Sequence, residues 1–366
     1  MANIILPGVY ITVRDEGLIT VGGVSTGNVG IVGTSLEGAT NTVELLGSFA
    51  DATAIFGPQA GVDYSKAKPA ADKVTLLKAL EILFANGAST VYAVRANDET
   101  ADSYGAALDA LSNEIVNIVL LAGQDSSNKD MVTKLTGHIT STEAILRERI
   151  GVIGCNGSVD VDAIKGAKVV NDSGRIVYVA PGINVSRRNP ATGQTTTENL
   201  SGAYTASAVA GLLASIDVQV SPTNKVLNVV DLAAKFNHTQ LEKLVTENVF
   251  TVESREGFRV VKGVTTSTNV AWRQITTRRI VDYAIYGVRA ACNPYIGKLN
   301  NERVRGAMKA TLDGFLTRMV ESEALTGYQL SVTATRANEI AGQAIVNLAI
   351  QPTFSIDYVM VTMTLG

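Results

Sequence analysis

Residues 278–327 read RRIVDYAIYGVRAACNPYIGKLNNERVRGAMKATLDGFLTRMVESEALTG, and this stretch decides the fold. Apolar residues recur at helical spacing on both sides of a short break at Pro294. Pro294 has no N–H to donate and disfavours the helical conformation in the residue before it, so the first helix is predicted to end near Cys292. Asn300 or Asn301 is the predicted N-cap of the second helix. The spacing alone predicts a buried helix pair.

The predicted second helix is amphipathic. Its apolar residues recur every three or four positions and form one stripe: Val304, Met308, Leu312, Phe315 and Met319. Four basic residues lie on this helix or in the turn before it: Lys298, Arg303, Arg305 and Lys309. From the sequence alone, this basic cluster fits either a solvated helix face or a binding surface for an acidic partner.

The composition is that of a folded protein with a sizeable core. The chain has 366 residues, of which 46% are hydrophobic and 18% charged, and its length suggests two or three domains. The net charge of −3 argues against a general nucleic-acid binder, which usually carries a basic excess. No apolar run approaches the roughly 18 residues of a membrane span. The first residues lack the basic and apolar regions of a signal peptide, so none is predicted.

Residues able to carry catalysis or hold a metal are sparse. The two cysteines, Cys155 and Cys292, are far apart and predict buried thiols of a reducing compartment. The two histidines, His138 and His238, lie near no cysteine or paired carboxylate in the sequence. The glycine-rich stretches match neither a dinucleotide fingerprint nor a phosphate loop. We therefore expect no catalytic residue, no cofactor and no metal. The alternative is a soluble α/β enzyme whose site forms only in three dimensions.

Residues 23–255 alternate apolar strands with amphipathic helices. Strands are predicted at 28–33, 91–95, 115–122, 150–154 and 175–180, and helices at 75–86, 104–111, 129–149 and 201–215. The strand at 115–122 is a nearly continuous apolar run, as expected for a strand covered on both faces. The alternation predicts an α/β domain with a layered, mixed sheet. Residues 256–345, which include the helix pair, are predicted to form a C-terminal domain of the α+β class.

Both ends of the chain are predicted to be extended arms, residues 1–22 and 346–366. Two segments show the alternation typical of a strand, one with Val9, Tyr10, Ile11 and Val13, the other with Phe354, Ile356, Tyr358 and Met360. Glycine or proline separates each segment from the nearer domain. A strand needs a partner for its backbone hydrogen bonds, and that partner is either this chain's own sheet or a neighbouring copy.

The two ends of the sequence also carry a resemblance. The stretch RRIVDYAIYGVRAACNPYIGKLNNE, residues 278–302, resembles the C-terminal signature of contractile tail sheath proteins, found in phage tails and related injection machines. In that family, two helices joined by an asparagine-rich turn lead into a short β-rich tail, here residues 345–365. The Pro-Gly-Val-Tyr turn at residues 7–10 is similar to the family's N-terminus. The family's Trp-Gly-Ala-Arg-Thr segment before the helix pair is missing here, so no role is carried over for it.

The resemblance implies a structural subunit and not an enzyme. Sheath subunits form homo-oligomers, as stacked rings or a helix, around an inner tail tube, and contraction drives the tube through a target cell envelope. Baseplate and tail terminator proteins would be further partners, and the location would be a virion tail assembled in the host cytoplasm. The arms would cross to neighbouring subunits. Residues 23–255 would form the outer domain, and residues 256–345 would form the inner domain, which would face the tube with Lys298, Arg303, Arg305 and Lys309. Direct nucleic-acid binding and membrane insertion are not expected.

Overall fold

The computed structural model describes residues 25–57, 74–188 and 194–364. Within this part, the chain divides into two compact units. The larger unit comprises residues 25–283 together with 352–364, and the smaller unit comprises residues 284–351. The division falls inside a helix.

The larger unit contains most of the secondary structure. Its strands are β1 (Val29–Gly33), β2 (Val43–Leu46), β3 (Val91–Arg95), β4 (Ile118–Leu121), β5 (Ile150–Gly154), β6 (Ile176–Ala180), β7 (Ile183–Arg188), β8 (Thr195–Leu200), β9 (Val226–Leu227), β10 (Asp231–Leu232), β11 (Phe250–Ser254) and β12 (Phe258–Val260). Its helices are α1 (Phe49–Phe56), α2 (Leu76–Ala85), α3 (Ala101–Ala110), α4 (Lys129–Ala144), α5 (Val161–Gly166), α6 (Gly202–Ser215), α7 (His238–Thr246) and the first half of α8 (Ile275–Cys292).

The main sheet of the larger unit is doubly wound. Its strands lie in the order β2-β3-β1-β4-β5-β6-β11-β12-β9. The six strands from β3 to β11 are parallel, whereas β2, β12 and β9 run antiparallel to their neighbours. The chain passes from β1 to β3 and then returns to the other side of β1 to form β4, β5 and β6. Helices therefore cover both faces, α1, α2 and α6 on one and α3, α4 and α5 on the other. A second, antiparallel sheet has the order β10-β7-β8.

Burial on both faces explains the apolar strand sequences. β4 and β6 read IVLL and IVYVA, and every residue of both strands is buried. α6 consists mostly of small residues, which let it approach the sheet closely. At its first residue, Gly202, an added Cβ would stand 2.5 Å from the backbone nitrogen of Cys155. Glycine is therefore required at this contact.

The smaller unit is a helix pair with a two-stranded sheet. It contains the end of α8, followed by α9 (Glu302–Glu321), β13 (Leu325–Thr333), α10 (Arg336–Ile340) and β14 (Ile345–Pro352). α8 ends at Cys292, and Pro294 lies in a 3-10 turn directly after it. Asn301 caps α9 by accepting the Val304 N–H at 3.0 Å. Both helix boundaries agree with the sequence-based prediction.

The hairpin of β13 and β14 is antiparallel. The Thr326 hydroxyl donates to the carbonyl oxygen of Gln351 at 3.2 Å, and the Asn347 amide lies 3.5 Å from the Ser331 hydroxyl. Partner numbers therefore fall along one strand as they rise along the other. α9 packs against β13, and one core cluster of the unit contains four buried residues: Ala291, Tyr295, Met308 and Leu312.

The mixed α/β fold class is confirmed, while the observed division of the chain differs from the predicted domain boundaries. The predicted change of domain at residue 255 precedes β12, which continues the main sheet, and Ile275, which begins α8 inside the core of the larger unit. Residues 346–352, predicted as part of an arm, are paired in β14. Residues 353–364 form no strand, because in the described chain their backbone is not paired with a neighbouring strand. Among the helices of the described ranges, none combines the length and apolar character needed to cross a bilayer.

Candidate functional site

The usual ligand site of a doubly wound sheet is filled here by side chains. Such sheets bind ligands outside the carboxyl ends of the strands, where the strand order reverses. That place lies between β1 and β4. The Tyr104 hydroxyl is 3.4 Å from the Thr75 hydroxyl and donates to the carbonyl oxygen of Ala122 at 3.3 Å. Tyr104 and Thr75 are completely buried, and this burial raises the pKa of Tyr104 to about 12. The protein's own core occupies the crevice.

The buried histidine and cysteine are parts of the core. His138 Nε2 lies 2.6 Å from the Arg149 guanidinium, and burial together with that charge lowers the pKa of His138 to about 4. Arg149 also donates to three carbonyl oxygens at the end of α3. Burial raises the pKa of the Cys155 thiol to about 12, so the thiol stays protonated. In the described ranges, no group of His, Cys, Asp and Glu residues is arranged to hold a metal ion.

An open cavity of about 710 Å³ lies beside α7. Two basic residues in its lining are already paired, Arg255 with Glu253 at 3.1 Å and Lys262 with Asp357 at 3.1 Å. Catalytic groups usually have strongly shifted pKa values and converge on one point. Mutually neutralised ion pairs do not form such an arrangement, so the cavity gives the enzyme alternative no support.

The second arginine of the signature fixes α8 in the larger unit. Arg279 is buried and donates to the carbonyl oxygens of Leu213, Ile216 and Asp217 at distances of 2.7 to 3.1 Å. These carbonyls lie at the C-terminal end of α6, where helix carbonyls lack partners within the helix. Burial lowers the pKa of Arg279 to about 10, which leaves it charged at neutral pH. Arg279 therefore caps α6 from a different helix.

The first arginine of the signature joins a buried network centred on Asp282. The Asp282 carboxylate accepts from Arg278 at 3.1 Å and from Arg175 at 2.9 Å. Glu143 Oε1 lies 3.0 Å from Nη2 of Arg175, which also donates to Asp282 at 3.2 Å. The Arg278 guanidinium also stands 4.3 Å from the centre of the Trp272 ring, a cation–π contact. These three charged residues of the signature, Arg278, Arg279 and Asp282, are buried and therefore hold α8 in place.

The four basic residues of the predicted cluster differ in their exposure. Arg305 is half-buried, and its guanidinium bonds to Glu339 at 3.0 Å and to Asn300 at 2.9 Å. Arg305 therefore connects α9 with α10 inside the smaller unit. The other three are exposed: Lys298, Arg303 and Lys309.

The turn between α8 and α9 exposes apolar side chains that no periodic pattern marks. Ile296 is 79% exposed and Leu299 is 78% exposed, on either side of Lys298. Exposed apolar residues that cluster beside charged ones are typical of interaction surfaces. The signal in the sequence is an apolar pair inside a glycine-containing turn, where burial in a core is not expected.

The two predicted arm segments differ in what the structure describes. Val9, Tyr10, Ile11 and Val13 lie outside the described residues. In the C-terminal segment the apolar side chains face solvent, with exposures of 60% for Phe354, 81% for Ile356, 73% for Tyr358 and 96% for Met360. The alternating polar residues Ser355 and Asp357 are half-buried. The segment therefore presents its apolar side outward.

β13 and β14 leave strand edges open. In the part of the chain that the structure describes, their sheet has two strands, so each strand has one edge without a strand partner. Long open edges invite pairing with another chain. An open-edged hairpin and an extended segment with an outward apolar face are the two components of strand addition. This combination is typical of a protein that assembles with other chains.

Two family models match consecutive parts of the chain. The phage tail sheath protein central domain matches residues 97–266, and the phage tail sheath C-terminal domain matches residues 267–366. The chain belongs to the phage tail sheath family. The resemblance found in the sequence is confirmed.

Solved structures of sheath proteins share the fold. The contracted helical sheath of the anti-feeding prophage matches with a TM-score of 0.74 and 20% identity, over 99% of each chain. The contracted sheath complex of the extracellular contractile injection system PVC matches with a TM-score of 0.72 and 16% identity, over 100% of this chain and 98% of that one. A sheath tail protein from Desulfitobacterium hafniense matches with a TM-score of 0.65 and 14% identity, over 94% of this chain and 100% of that one. Curated protein sequences give no significant match.

Proposed function

We propose that this chain is the structural subunit of a contractile tail sheath. It polymerises around an inner tube, and contraction of the polymer drives the tube through a target cell envelope. The observation that carries the proposal is the match of the two sheath domains to residues 97–366. Proteins with the same fold include two sheaths in a contracted state and a chain from a baseplate of the anti-feeding prophage.

Strand addition between copies is the proposed means of assembly. Two segments supply strands, residues 354–360 and the N-terminal segment with Val9, Tyr10, Ile11 and Val13. The open edges of β13 and β14 accept them in a neighbouring copy. Backbone hydrogen bonds give the affinity, and alternate side chains set the register. Donor and acceptor are different surfaces, so the contact is heterologous and continues into a helix or stacked rings.

The smaller unit is the proposed contact with the inner tube. Its exposed basic residues are suited to an acidic tube surface: Lys298, Arg303 and Lys309. Arg305 is left out of this contact, because it is half-buried and bonded to Glu339 within the unit. Exposed ion pairs contribute about 0–1 kcal/mol each and are screened by salt. Weak contacts suit a surface that must release the tube during contraction.

The remaining partners follow from the same proposal. Baseplate and tail terminator proteins would contact the two ends of the sheath. The location is the tail of a virion or of a related injection machine, assembled in the host cytoplasm. Contraction would use energy stored in contacts between subunits, so the mechanism requires no enzymatic step and no cofactor.

Tube formation tests the proposal. The purified chain is expected to form long tubes, visible by negative-stain electron microscopy. Deleting residues 1–22 is expected to abolish the tubes while the subunit still melts cooperatively, because a terminal arm adds little to its own core. A soluble low oligomer of the full chain would favour the enzyme alternative. Loss of the cooperative melt after the deletion would assign the N-terminal segment to its own subunit's sheet, and normal tubes would show that this arm is dispensable.

A further inference from the structure

The C-terminal segment is attached to the larger unit through its polar side. The side-chain amide of Gln274 bonds to both backbone groups of Ser355, as the backbone of an adjacent strand would. The Ser355 N–H donates to Gln274 Oε1 at 3.1 Å, and Gln274 Nε2 donates to the Ser355 carbonyl oxygen at 3.4 Å. Gln274 Nε2 also donates to Asp357 Oδ2 at 3.2 Å. The Gln274 side chain therefore bonds to the backbone of Ser355 and to the carboxylate of Asp357, two positions later.

Lys262 binds the following pair of residues. Its Nζ lies 3.1 Å from Asp357 Oδ2, 3.2 Å from the Tyr358 hydroxyl and 4.9 Å from the centre of the Tyr358 ring. The side chains of Lys262 and Asp357 are 15% and 14% exposed, so water and salt screen this ion pair less than an open surface pair. Burial alone would lower the pKa of Lys262, but its bonds to Tyr358 and Asp357 raise it overall, which keeps the lysine charged.

We call Lys262 and Gln274 the C-terminal clasp. The two chain segments that carry these residues are hydrogen-bonded to each other. Val264 and Gln274 make an antiparallel bridge, and the Ile275 N–H donates to the carbonyl oxygen of Gly263 at 3.2 Å. Ile275 is completely buried and begins α8. The clasp residues therefore have fixed positions in the larger unit.

The clasp holds the segment without covering its apolar face. Phe354 and Ile356 remain exposed, while Ser355 and Asp357 point towards the clasp. A contact that hid the apolar side chains would compete with pairing to another chain, and this contact leaves them available. The clasp also moves the last fixed point of the segment from Pro352 to Tyr358, six residues further along the chain.

We infer that Lys262 and Gln274 are positioning residues for assembly, which fix residues 355–358 on their own subunit so that the arm meets a second copy of this chain from a defined point. The inference rests on the proposed function, in which the arm donates a strand to a neighbour. Ordering a free segment costs free energy at association, and fixing it beforehand removes part of that cost. A shorter free tail also limits the volume that the arm explores, which raises its effective concentration at a correctly placed neighbour.

Substitutions in the full chain test the clasp. The variants are Lys262→Met, Gln274→Leu and the two combined, and Lys225→Met is the matched control because Lys225 is an exposed lysine that precedes β9 in the same unit. Hydrogen–deuterium exchange of residues 354–358 is measured on subunits below the concentration of assembly. The critical concentration for tubes is measured by sedimentation, and the melting temperature reports on the fold.

The combined variant is expected to exchange faster at residues 354–358 and to raise the critical concentration roughly five- to tenfold, since a net hydrogen bond changes an equilibrium constant by about two- to tenfold. The melting temperature is expected to stay near that of the Lys225→Met control. Exchanging the charges, Lys262→Asp with Asp357→Lys, is expected to restore assembly that either single substitution weakens. Such a rescue requires direct contact between the two positions.

Three outcomes would overturn the inference: unchanged exchange at residues 354–358, assembly at the normal critical concentration, or a lowered critical concentration, which would mean that the clasp restrains the arm. A chain that ends at Pro352 separates these failures from failure of the proposed strand donation. If that chain forms no tubes while the clasp variants assemble normally, only the clasp inference fails. If it forms normal tubes, the C-terminal arm is dispensable and both fail.

Discussion

The two units of this protein differ in the burial of their basic side chains and in how far their strands are covered or paired. In the larger unit, four arginines are buried and bond to groups of the same unit: Arg149, Arg175, Arg278 and Arg279. In the smaller unit, several basic residues face solvent, among them Lys298, Arg303 and Lys309. Helices cover both faces of the main sheet, whereas β13 and β14 have open edges in the described chain. The main sheet of the larger unit is therefore covered on both faces, whereas in the described chain the hairpin of the smaller unit has strand edges available to another chain.

The size of the two cores explains this difference. A two-stranded hairpin is marginally stable on its own and needs a helix or further strands. Here α9 packs against one face of β13, and partly buried Leu330 and Val332 meet the small core of the unit. This packing stabilises the hairpin, and in the described chain it leaves one edge of each strand unpaired, so the hairpin can fold within its own subunit and still accept a strand.

The largest expected effect comes from opening the charge network of the larger unit. Asp282→Asn removes the carboxylate shared by Arg175 and Arg278 and leaves two buried guanidinium groups without it. Breaking one side of a buried ion pair costs about 3–5 kcal/mol. We expect a loss of this size in the free energy of unfolding, measured by urea denaturation. Asp109→Asn, at an exposed position of α3, is the control and should stay within about 0.5 kcal/mol of the parent chain. Equal stability of the two variants would contradict the prediction.

A pair of helix glycines sharpens the comparison inside the smaller unit. An added Cβ at Gly287 would stand 1.9 Å from Cζ of Phe315, whereas at Gly306 it would meet nothing within 4 Å. Gly287→Ala is therefore expected to cost about 1–3 kcal/mol through overpacking. Gly306→Ala is expected to stabilise by roughly 0.5–1 kcal/mol, because alanine loses less entropy in a helix.

Hydrogen–deuterium exchange of β13 and β14 distinguishes the two glycine variants without requiring global unfolding. Exchange should be faster in Gly287→Ala and slower in Gly306→Ala, while peptides from the main sheet stay unchanged. If both variants behaved alike, the Phe315 ring would have to move aside at no cost, and the close contact would not define the core of this unit.

Local chemistry made much of this fold predictable from the sequence. Pro294 and Asn301 determine where α8 ends and α9 begins, because each acts on the backbone within a few residues. The apolar run of β4 predicted a strand buried on both faces, which the doubly wound sheet provides. The alternation around Phe354 and Ile356 was also visible, but no pattern within a single chain identifies the partner of a strand.

Pairs that are distant in the sequence could not be predicted in this way. Arg175 and Asp282 are 107 residues apart, and Lys262 and Tyr358 are 96 residues apart. Each of these side chains alone is an ordinary polar residue, and its role depends on which partner the fold brings to it. For the same reason the sequence pattern groups Arg305 with the three exposed basic residues, although in the structure Glu339 binds it.

The smallest expected effect concerns the exposed charges of the smaller unit. Arg303→Glu combined with Lys309→Glu should weaken binding to preformed inner tubes by about tenfold at low salt, because each exposed ion pair contributes up to about 1 kcal/mol. The loss should shrink towards about 0.5 M salt, where screening removes most of the parent chain's own attraction. Co-sedimentation with the tubes at the two salt concentrations measures both effects, and Lys225→Glu in the larger unit controls for the change in net charge.

An equal loss in the control would mean that overall charge, and not this surface, governs binding. A loss that salt does not change would point to disturbed packing of α9, whose buried side includes Met308 and Leu312. Binding that stays normal at low salt would remove Arg303 and Lys309 from the proposed tube contact and leave the turn from Ile296 to Leu299, with Lys298, as the remaining candidate on this unit.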